Sequence, residues 1–198
     1  MLFSERVFCG QLTLGEVGRR VLLAGWVDAF RDHGGLLFIH LRDRSGIVQI
    51  VFSPEIAAAD VCRRAAGLRA EYCIAVRGEV KQRREGTENP HIETGSMEVL
   101  VTELEVLSES DALPFAVSDK AMVAGAPSAG TDTVAEDLRL QYRYLDIRRT
   151  SMRDNLIARH RIFQCVRDFL DSRGFVEIET PVLTMSTPEG ARDYLVRS

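Results

Sequence analysis

The chain has 198 residues, of which 45% are hydrophobic and 27% are charged, which suits one large or two small folded domains and excludes a wholly disordered chain. No apolar run approaches the roughly 18 residues of a membrane span, and the first residues lack the apolar core of a secretory signal, so we expect no membrane partner. With 25 basic and 29 acidic side chains the net charge is −4, which excludes a protein that coats nucleic acid through a general positive field.

Five short β-rich runs lie between residues 18 and 107, with turn signals at 32–35 and 44–46. The runs cover residues 21–27, 36–41, 47–52, 73–80 and 98–107. An Ala- and Arg-rich stretch at about 56–70 predicts one helix after the third run. This order is typical of an OB-fold, a small Greek-key barrel, although another small barrel or sandwich would have the same strand count.

The second run predicts two different faces. Side chains alternate along a strand, so Leu37, Ile39 and Leu41 form an aliphatic face suited to the core. Phe38 then lies on the wetter face, and in the third run Gln49 is on the corresponding side. An aromatic ring beside an amide and nearby arginines is a base-stacking surface for RNA, or else the ring is covered by a loop or by the second half of the chain.

The second half begins with a predicted linker over residues 108–137, because 116–133 is rich in Ala, Gly, Ser and Thr. Helical spacing then predicts one helix with an N-cap at Ser151 and a left-handed terminating residue at Gly174. Its apolar stripe contains Leu156, Ile162, Phe163, Val166, Phe169 and Leu170. Residues 175–179 alternate like a strand that Pro181 ends.

The cysteines are scattered at positions 9, 62, 73 and 165, with no C-x-x-C pair. A disulfide framework or a zinc cluster is therefore not expected, we predict no metal site, and a reducing cytoplasm suits the chain.

Several strings resemble bacterial aspartyl-tRNA synthetases of class II. The first half carries GWV at 25–27, RD at 31–32, FI at 38–39, RDR at 42–44 and GIVQ at 46–49, as in the family's anticodon-binding domain. RLQYRYLDIRR at 139–149 is similar to its hinge segment, and RGFVEIETP at 173–181 to its motif 1. TPEGARDYLV at 187–196 is similar to its mobile aspartate-site loop and is the most specific match.

The resemblance assigns roles in RNA reading. Phe38 would stack on an anticodon base, and Arg31 and Gln49 would read or clamp its neighbours. Glu98 would accept hydrogen bonds from the guanine-like first anticodon base. His33 and Gly86 stand where enzymes that charge both tRNA(Asp) and tRNA(Asn) resemble one another.

Further roles concern the amino acid and the dimer. Glu189 would close over L-aspartate and accept hydrogen bonds from its ammonium group. Gly174, Phe175 and Pro181 would belong to the dimer-forming motif 1 of a homodimer. Two departures are Ala29, where the family often has arginine, and Arg197, where it commonly has proline.

The expected fold class is β-rich α+β. It comprises an OB-fold anticodon-binding barrel over 1–107, a linker over 108–137 and the start of a class II catalytic domain, with its antiparallel sheet, over 138–198. Motifs 2 and 3 have no counterpart here, so the resemblance implies part of a longer cytoplasmic protein and no catalytic residue among these positions.

The longer protein would use ATP and Mg²⁺ to attach L-aspartate to tRNA(Asp), and also to tRNA(Asn), through aspartyl-adenylate. The chain alone would bind anticodon arms without catalysing this reaction. The alternatives are a free-standing OB-fold that binds single-stranded nucleic acid, or a related class II synthetase for asparagine or lysine.

Overall fold

The computed structural model describes residues 3–118 and 134–183, and the chain divides into two units, Met1–Met152 and Arg153–Ser198. The first unit holds the sheet, with short helical elements before, within and after it along the chain. Three 3₁₀ turns, Phe3–Glu5, Cys9–Gln11 and Leu14–Glu16, come before the first strand.

Five strands of the first unit close into a barrel. They are β1 (Arg20–His33), β2 (Leu36–Arg42), β3 (Ile47–Phe52), β4 (Cys73–Gln82) and β5 (Met97–Ser108), with helix α1 (Ala59–Ala66) between β3 and β4. Their order around the barrel is β1-β2-β3-β5-β4, and all pairs are antiparallel except the parallel pair of β3 with β5. The predicted five-stranded barrel with one helix after the third strand is confirmed.

Alternation along β2 and β3 directs one side of each of these strands into the core. In β2 the side chains of Leu37, Ile39 and Leu41 are buried, whereas Phe38 between them is only half-buried. In β3 the side chains of Val48, Ile50 and Phe52 are fully buried in the same cluster. The two faces predicted for these strands are confirmed, and the phenyl ring of residue 38 is outside the core.

Strand β1 is longer than predicted because it continues through a bulge. The pairing register with β2 jumps between Val27 and Ala29, so Asp28 has no partner across the strands. The sequence prediction ended the strand at Val27, whereas the bulge lets pairing resume and continue to His33. Gly34 and Gly35 then form the two-residue hairpin turn, both with positive φ, as a type I′ turn requires.

A carboxylate fastens the N-terminal segment to the β2–β3 turn. Asp43 is 4% exposed and accepts bonds from the backbone N–H of Cys9 (2.9 Å) and from the backbone N–H (2.8 Å) and hydroxyl (2.6 Å) of Ser45. The Arg6 guanidinium donates a further bond of 3.1 Å. Burial acts to raise the pKa of Asp43, but these hydrogen bonds outweigh it and hold the pKa below its usual value.

The segment after the barrel is partly docked and not a free linker. Phe115 and Val117 are buried and pack with Leu145 into a small core of their own. Leu145 belongs to α3 (Arg143–Asp146), which follows α2 (Glu136–Gln141). Leu113, Phe115 and Val117 of the predicted linker therefore pack with the hinge segment, which we define as residues 139–149. Residues 119–133 of the predicted linker lie outside the described residues.

Helix α4 (Thr150–Asp171) corresponds to the predicted helix. It starts two residues earlier than an N-cap at Ser151 implies, so Ser151 lies in its first turn and is not the N-cap. The prediction for Gly174 is confirmed: its φ is +80°, its N–H bonds to the carbonyl of Asp171 (2.9 Å), and the N–H of Phe175 bonds to that of Leu170 (3.2 Å). These two bonds make a Schellman motif, in which glycine accepts the left-handed backbone.

The described part of the second unit has no buried side chain. The helical stripe expected to be apolar is present, but residues such as Ile162 (62% exposed) and Phe169 (55%) face solvent. The prediction of a strand at residues 175–179 is wrong, since the described residues provide no neighbouring strand to bond with that segment.

Candidate nucleic-acid interface

A cavity of about 590 Å³ opens on the outer face of the barrel. Strands β1, β2, β3 and β5 contribute to it, together with the loops after β3 and β4. Its lining residues are Ala29, Arg31, His33, Leu36, Phe38, His40, Gln49, Val51, Ser53, Glu55, Ile56, Arg83, Arg84, Thr87, Glu98 and Leu100. We call it the outer-face cavity, and it brings together every residue predicted to contact the anticodon.

Phe38 occupies the middle of this surface. In the strand register it lies between Arg31 of β1 and Val51 of β3, which also line the cavity. The ring of His33 meets the Phe38 ring edge-on, with centroids 5.7 Å apart and planes at 72°. Such T-shaped contact fixes the orientation of the phenyl ring, and the ring remains one of the walls of the cavity.

Gln49 and Glu98 form a polar pair on the cavity floor. They are directly opposite in the parallel pairing of β3 with β5, and the Gln49 amide donates a 2.9 Å hydrogen bond to Oε2 of Glu98. The bond holds an amide and a carboxylate side by side, where they can meet the edges of an unstacked base.

Arg83 is a lining residue whose burial the sequence did not predict. It is only 8% exposed, its Nε donates to the Met97 carbonyl (3.0 Å) and its Nη1 to the Thr87 carbonyl (3.3 Å). Its buried Nη2 has no hydrogen-bond partner among the described residues, although the side chain lines the cavity. Burial lowers the pKa of Arg83, while Glu98 and Glu88 act in the opposite direction.

Nothing in the sequence separated this arginine from its neighbours. Arg83 and Arg84 are adjacent, and their run KQRRE reads as a solvated strand end. The strand register decides which of them is buried, and register cannot be read from one strand alone.

The resemblance predicts a role in tRNA choice for two residues, His33 and Gly86. His33 ends β1 and lines the outer-face cavity. Gly86 is in the loop after β4, between the lining residues Arg84 and Thr87, and its φ of +82° explains why glycine is accommodated there.

The remaining predicted positions are elsewhere. Glu189 lies outside the described residues. Gly174, Phe175 and Pro181 are in the second unit, where Phe175 is 65% exposed. Within residues 3–118 and 134–183, no group of three His, Cys, Asp or Glu side chains could hold a metal ion, and no helix is both long and apolar enough to cross a membrane.

Two family models match the chain. Residues 21–107 match the OB-fold nucleic acid binding domain, and residues 135–198 match the class II tRNA synthetases for D, K and N. The first range contains the barrel strands, and the second contains the hinge segment and the residues after it.

Curated relatives are similar over the whole chain. An aspartate–tRNA(Asp/Asn) ligase of Syntrophus aciditrophicus is 80% identical over 198 residues, all of this chain and 27% of that protein. One from Syntrophomonas wolfei is 56% identical over 188 residues, which is 95% of this chain and 30% of that protein. The chain thus spans about three tenths of the length of these relatives.

Solved structures agree on the fold. The asparaginyl-tRNA synthetase of Pyrococcus horikoshii with asparaginyl-adenylate matches with a TM-score of 0.76 at 27% identity, over 96% of this chain and 39% of that one. The aspartyl-tRNA synthetase of Entamoeba histolytica matches with a TM-score of 0.77 at 22% identity, over 93% of this chain and 41% of that one. The barrel is therefore an OB-fold in the arrangement that these proteins share.

Proposed function

The chain belongs to the class II tRNA synthetases of the D, K and N group, and from this premise we propose that its outer-face cavity binds the anticodon of a tRNA. The observation that carries the proposal is the half-buried ring of Phe38, outside the core and in one cavity with the Gln49–Glu98 pair. An aromatic ring offers a stacking surface to any base, and hydrogen-bonding groups beside it can select among bases.

The groups that line this cavity can accept and donate hydrogen bonds to RNA. Glu98 presents a carboxylate that accepts the N–H groups along the Watson–Crick edge of guanine. Arg31 and Arg84 are exposed at its rim and would contact phosphates, and the buried Nη2 of Arg83 would donate to an RNA oxygen. His33 and Gly86, at the edges, would relax reading of the last anticodon base.

For the whole protein we propose ATP-dependent attachment of L-aspartate to tRNA(Asp) and tRNA(Asn), through aspartyl-adenylate and with Mg²⁺. The names and identities of the curated relatives support this activity. Glu189 would contact the ammonium group of aspartate. Gly174, Phe175 and Pro181 would contribute to a homodimer interface, which the exposed apolar residues of the second unit support. The protein would act in the cytoplasm.

The 198 residues alone would bind anticodon arms but would not activate aspartate. Pyrophosphate exchange with aspartate and ATP measures activation directly. We expect no exchange above background from this chain. Clear exchange would contradict the proposal that these 198 residues bind RNA without activating aspartate.

The anticodon site is tested by Phe38→Ala in the 198-residue chain. Loss of stacking should weaken binding of an anticodon stem-loop of tRNA(Asp) by about 1–3 kcal/mol, measured as fluorescence anisotropy of the end-labelled RNA. The matched control is Phe163→Ala, which removes a 47% exposed phenyl ring far along the chain from the cavity. Unchanged affinity of a folded Phe38→Ala variant would remove this ring from the site.

A second stem-loop that differs only in the last anticodon base distinguishes tRNA(Asp) from tRNA(Asn). We expect the wild-type chain to bind both with similar affinity. A strong preference for the tRNA(Asp) arm would contradict the roles proposed for His33 and Gly86, while leaving the anticodon site itself in place.

A further inference from the structure

A buried carboxylate joins the barrel to the hinge segment. Glu71 precedes β4, is 7% exposed, and accepts hydrogen bonds on both oxygens. Arg42 of β2 donates to Oε1, and Arg148 of the hinge segment donates to Oε2 at 2.7 Å. The side chain of Glu71 thus connects Arg42 and Arg148, which are 106 positions apart in the chain. All three residues are in the first unit.

The Arg42 end of this bridge continues the base-binding face. Phe38, His40 and Arg42 share one side of β2, and the first two line the outer-face cavity. Arg42 Nε also lies 2.9 Å from Oδ1 of Asp28, at the bulge of β1, so the guanidinium is held by two carboxylates. A shift of Arg42 would therefore displace β2, the strand that also carries Phe38.

The Arg148 end covers the single tryptophan. The guanidinium of Arg148 stacks over the ring of Trp26, with its central carbon 4.8 Å from the ring centroid. Trp26 is opposite Arg42 in the pairing of β1 with β2, and its side chain is 37% exposed. The hinge segment is thus fastened to the strand pair that carries Phe38, and Trp26 does not line the cavity.

The backbone at Glu71 is held in an uncommon conformation. Its φ is +63°, and it is the sole non-glycine position with positive φ among the residues the structure describes. Its N–H donates to the Val27 carbonyl at 2.8 Å, and the N–H of Val27 donates to the Tyr72 carbonyl at 3.0 Å. A left-handed backbone in a residue with a long side chain persists where its surroundings require it, and here it directs the carboxylate between the two arginines.

We propose that Glu71 is a positioning residue that couples the hinge segment to anticodon binding, through Arg148 on one side and Arg42 on the other. This inference rests on the proposed function of the outer-face cavity. Coupling between two sites is reciprocal, so an anticodon arm in the cavity stabilises Arg148 on Trp26, and release of Arg148 weakens RNA binding by the same factor.

Trp26 provides the readout, because its fluorescence comes from one position at the hinge contact. Without RNA, Glu71→Gln should increase quenching of Trp26 by acrylamide, since Arg148 loses its charged partner and leaves the ring. Quenching equal to that of wild type would overturn the role of Glu71. Arg77→Gln, which removes a half-buried arginine of β4 from its ion pairs with Glu5 and Glu103, is the matched control and should leave quenching unchanged.

With RNA, binding is followed separately by anisotropy of the labelled stem-loop. In the wild-type chain, saturation should reduce quenching of Trp26, whereas in Glu71→Gln this change should be lost and the affinity should fall about fivefold or more. Protection of Trp26 that persists in Glu71→Gln would show direct contact of RNA with the ring and would overturn the coupling. The same is true if RNA binds wild type without affecting Trp26.

Arg148→Gln is the second variant, and it leaves the Glu71–Arg42 bond in place should Glu71→Gln fail to fold. It should lower RNA affinity to a similar extent, and unchanged affinity would overturn the coupling. If no anisotropy change occurs even for wild type, the proposed function fails, and the coupling fails with it. The RNA-free quenching experiment still decides whether Glu71 holds Arg148 on Trp26.

Discussion

At the scale of single residues, the proposed function makes the hydrogen-bonded Gln49–Glu98 pair the part of the outer-face cavity that would select among bases. A carboxylate accepts hydrogen bonds from the N–H groups of guanine, whereas adenine presents an acceptor nitrogen at the matching position. Glu98→Gln should therefore weaken binding of a stem-loop with guanine as its first anticodon base by about 1.5–3 kcal/mol. Anisotropy titrations measure this loss.

A stem-loop with adenine at that position is the control for the Glu98 prediction. Its affinity should change little, because it makes no charge-assisted bond to lose. An equal loss for both RNAs would mean that Glu98 acts on the shape of the cavity and not on the base.

Asp43 makes the free energy of unfolding depend on pH in the acid range. Its pKa is depressed in the folded chain, so its contribution is complete above the ordinary aspartate pKa of about 3.9 and is lost as the pH falls through the lower folded value. Asp43→Asn should lower the free energy of unfolding by about 1–3 kcal/mol at neutral pH, because the donors of Cys9 and Ser45 lose a charged acceptor. Urea unfolding followed by circular dichroism at several pH values measures it.

The difference between wild type and Asp43→Asn should shrink as the pH drops below about 4. A difference that stays constant down to strong acid would show that the carboxylate charge is not what fastens the N-terminal segment.

At the scale of elements, the barrel depends on close approach of strand backbones. A Cβ added at Gly78 of β4 would lie 2.4 Å from the Leu100 carbonyl oxygen of β5. Gly78→Ala should therefore cost about 1–3 kcal/mol of unfolding free energy, as overpacking does elsewhere. In the control Gly15→Ala the nearest atom is 3.6 Å away, and stability should change by less than about 0.5 kcal/mol. Equal effects of both substitutions would contradict this account.

The sequence could predict those elements whose signal is local. Alternation in β2 was enough to place Phe38 outside the core, and paired glycines after His33 were enough to place a hairpin. The bulge at Asp28 and the burial of Arg83 depend on strand register, which involves a partner distant in the chain. Residues 175–179 have an alternating pattern, but a pattern makes a strand only beside a bonding neighbour.

At the scale of the whole molecule, a chain of net charge −4 would bind RNA through a small local set of cations. Three arginines, at positions 31, 83 and 84, line the outer-face cavity. If each neutralises one phosphate of an unpaired loop, the logarithm of the binding constant should fall with the logarithm of salt concentration with a slope of about −2.

Arg84→Gln should reduce the magnitude of this slope by about 0.7, and titrations at several salt concentrations measure it. The control Arg63→Gln changes an exposed arginine of α1 that does not line the cavity, and it should leave the slope unchanged. A slope near zero for wild type would exclude phosphate contacts by these arginines.

The parallel pairing of β3 with β5 spans only residues 49–51 and 98–100, and Gln49 and Glu98 open it. The two side chains are 49 positions apart in the chain and come together only when β3 pairs with β5. During synthesis, a ribosome-bound chain that still lacks β5 would have Phe38 and Gln49 but not the carboxylate of Glu98. If the proposed function holds, base selection by this pair would begin only after β5 has been synthesised and has joined β3.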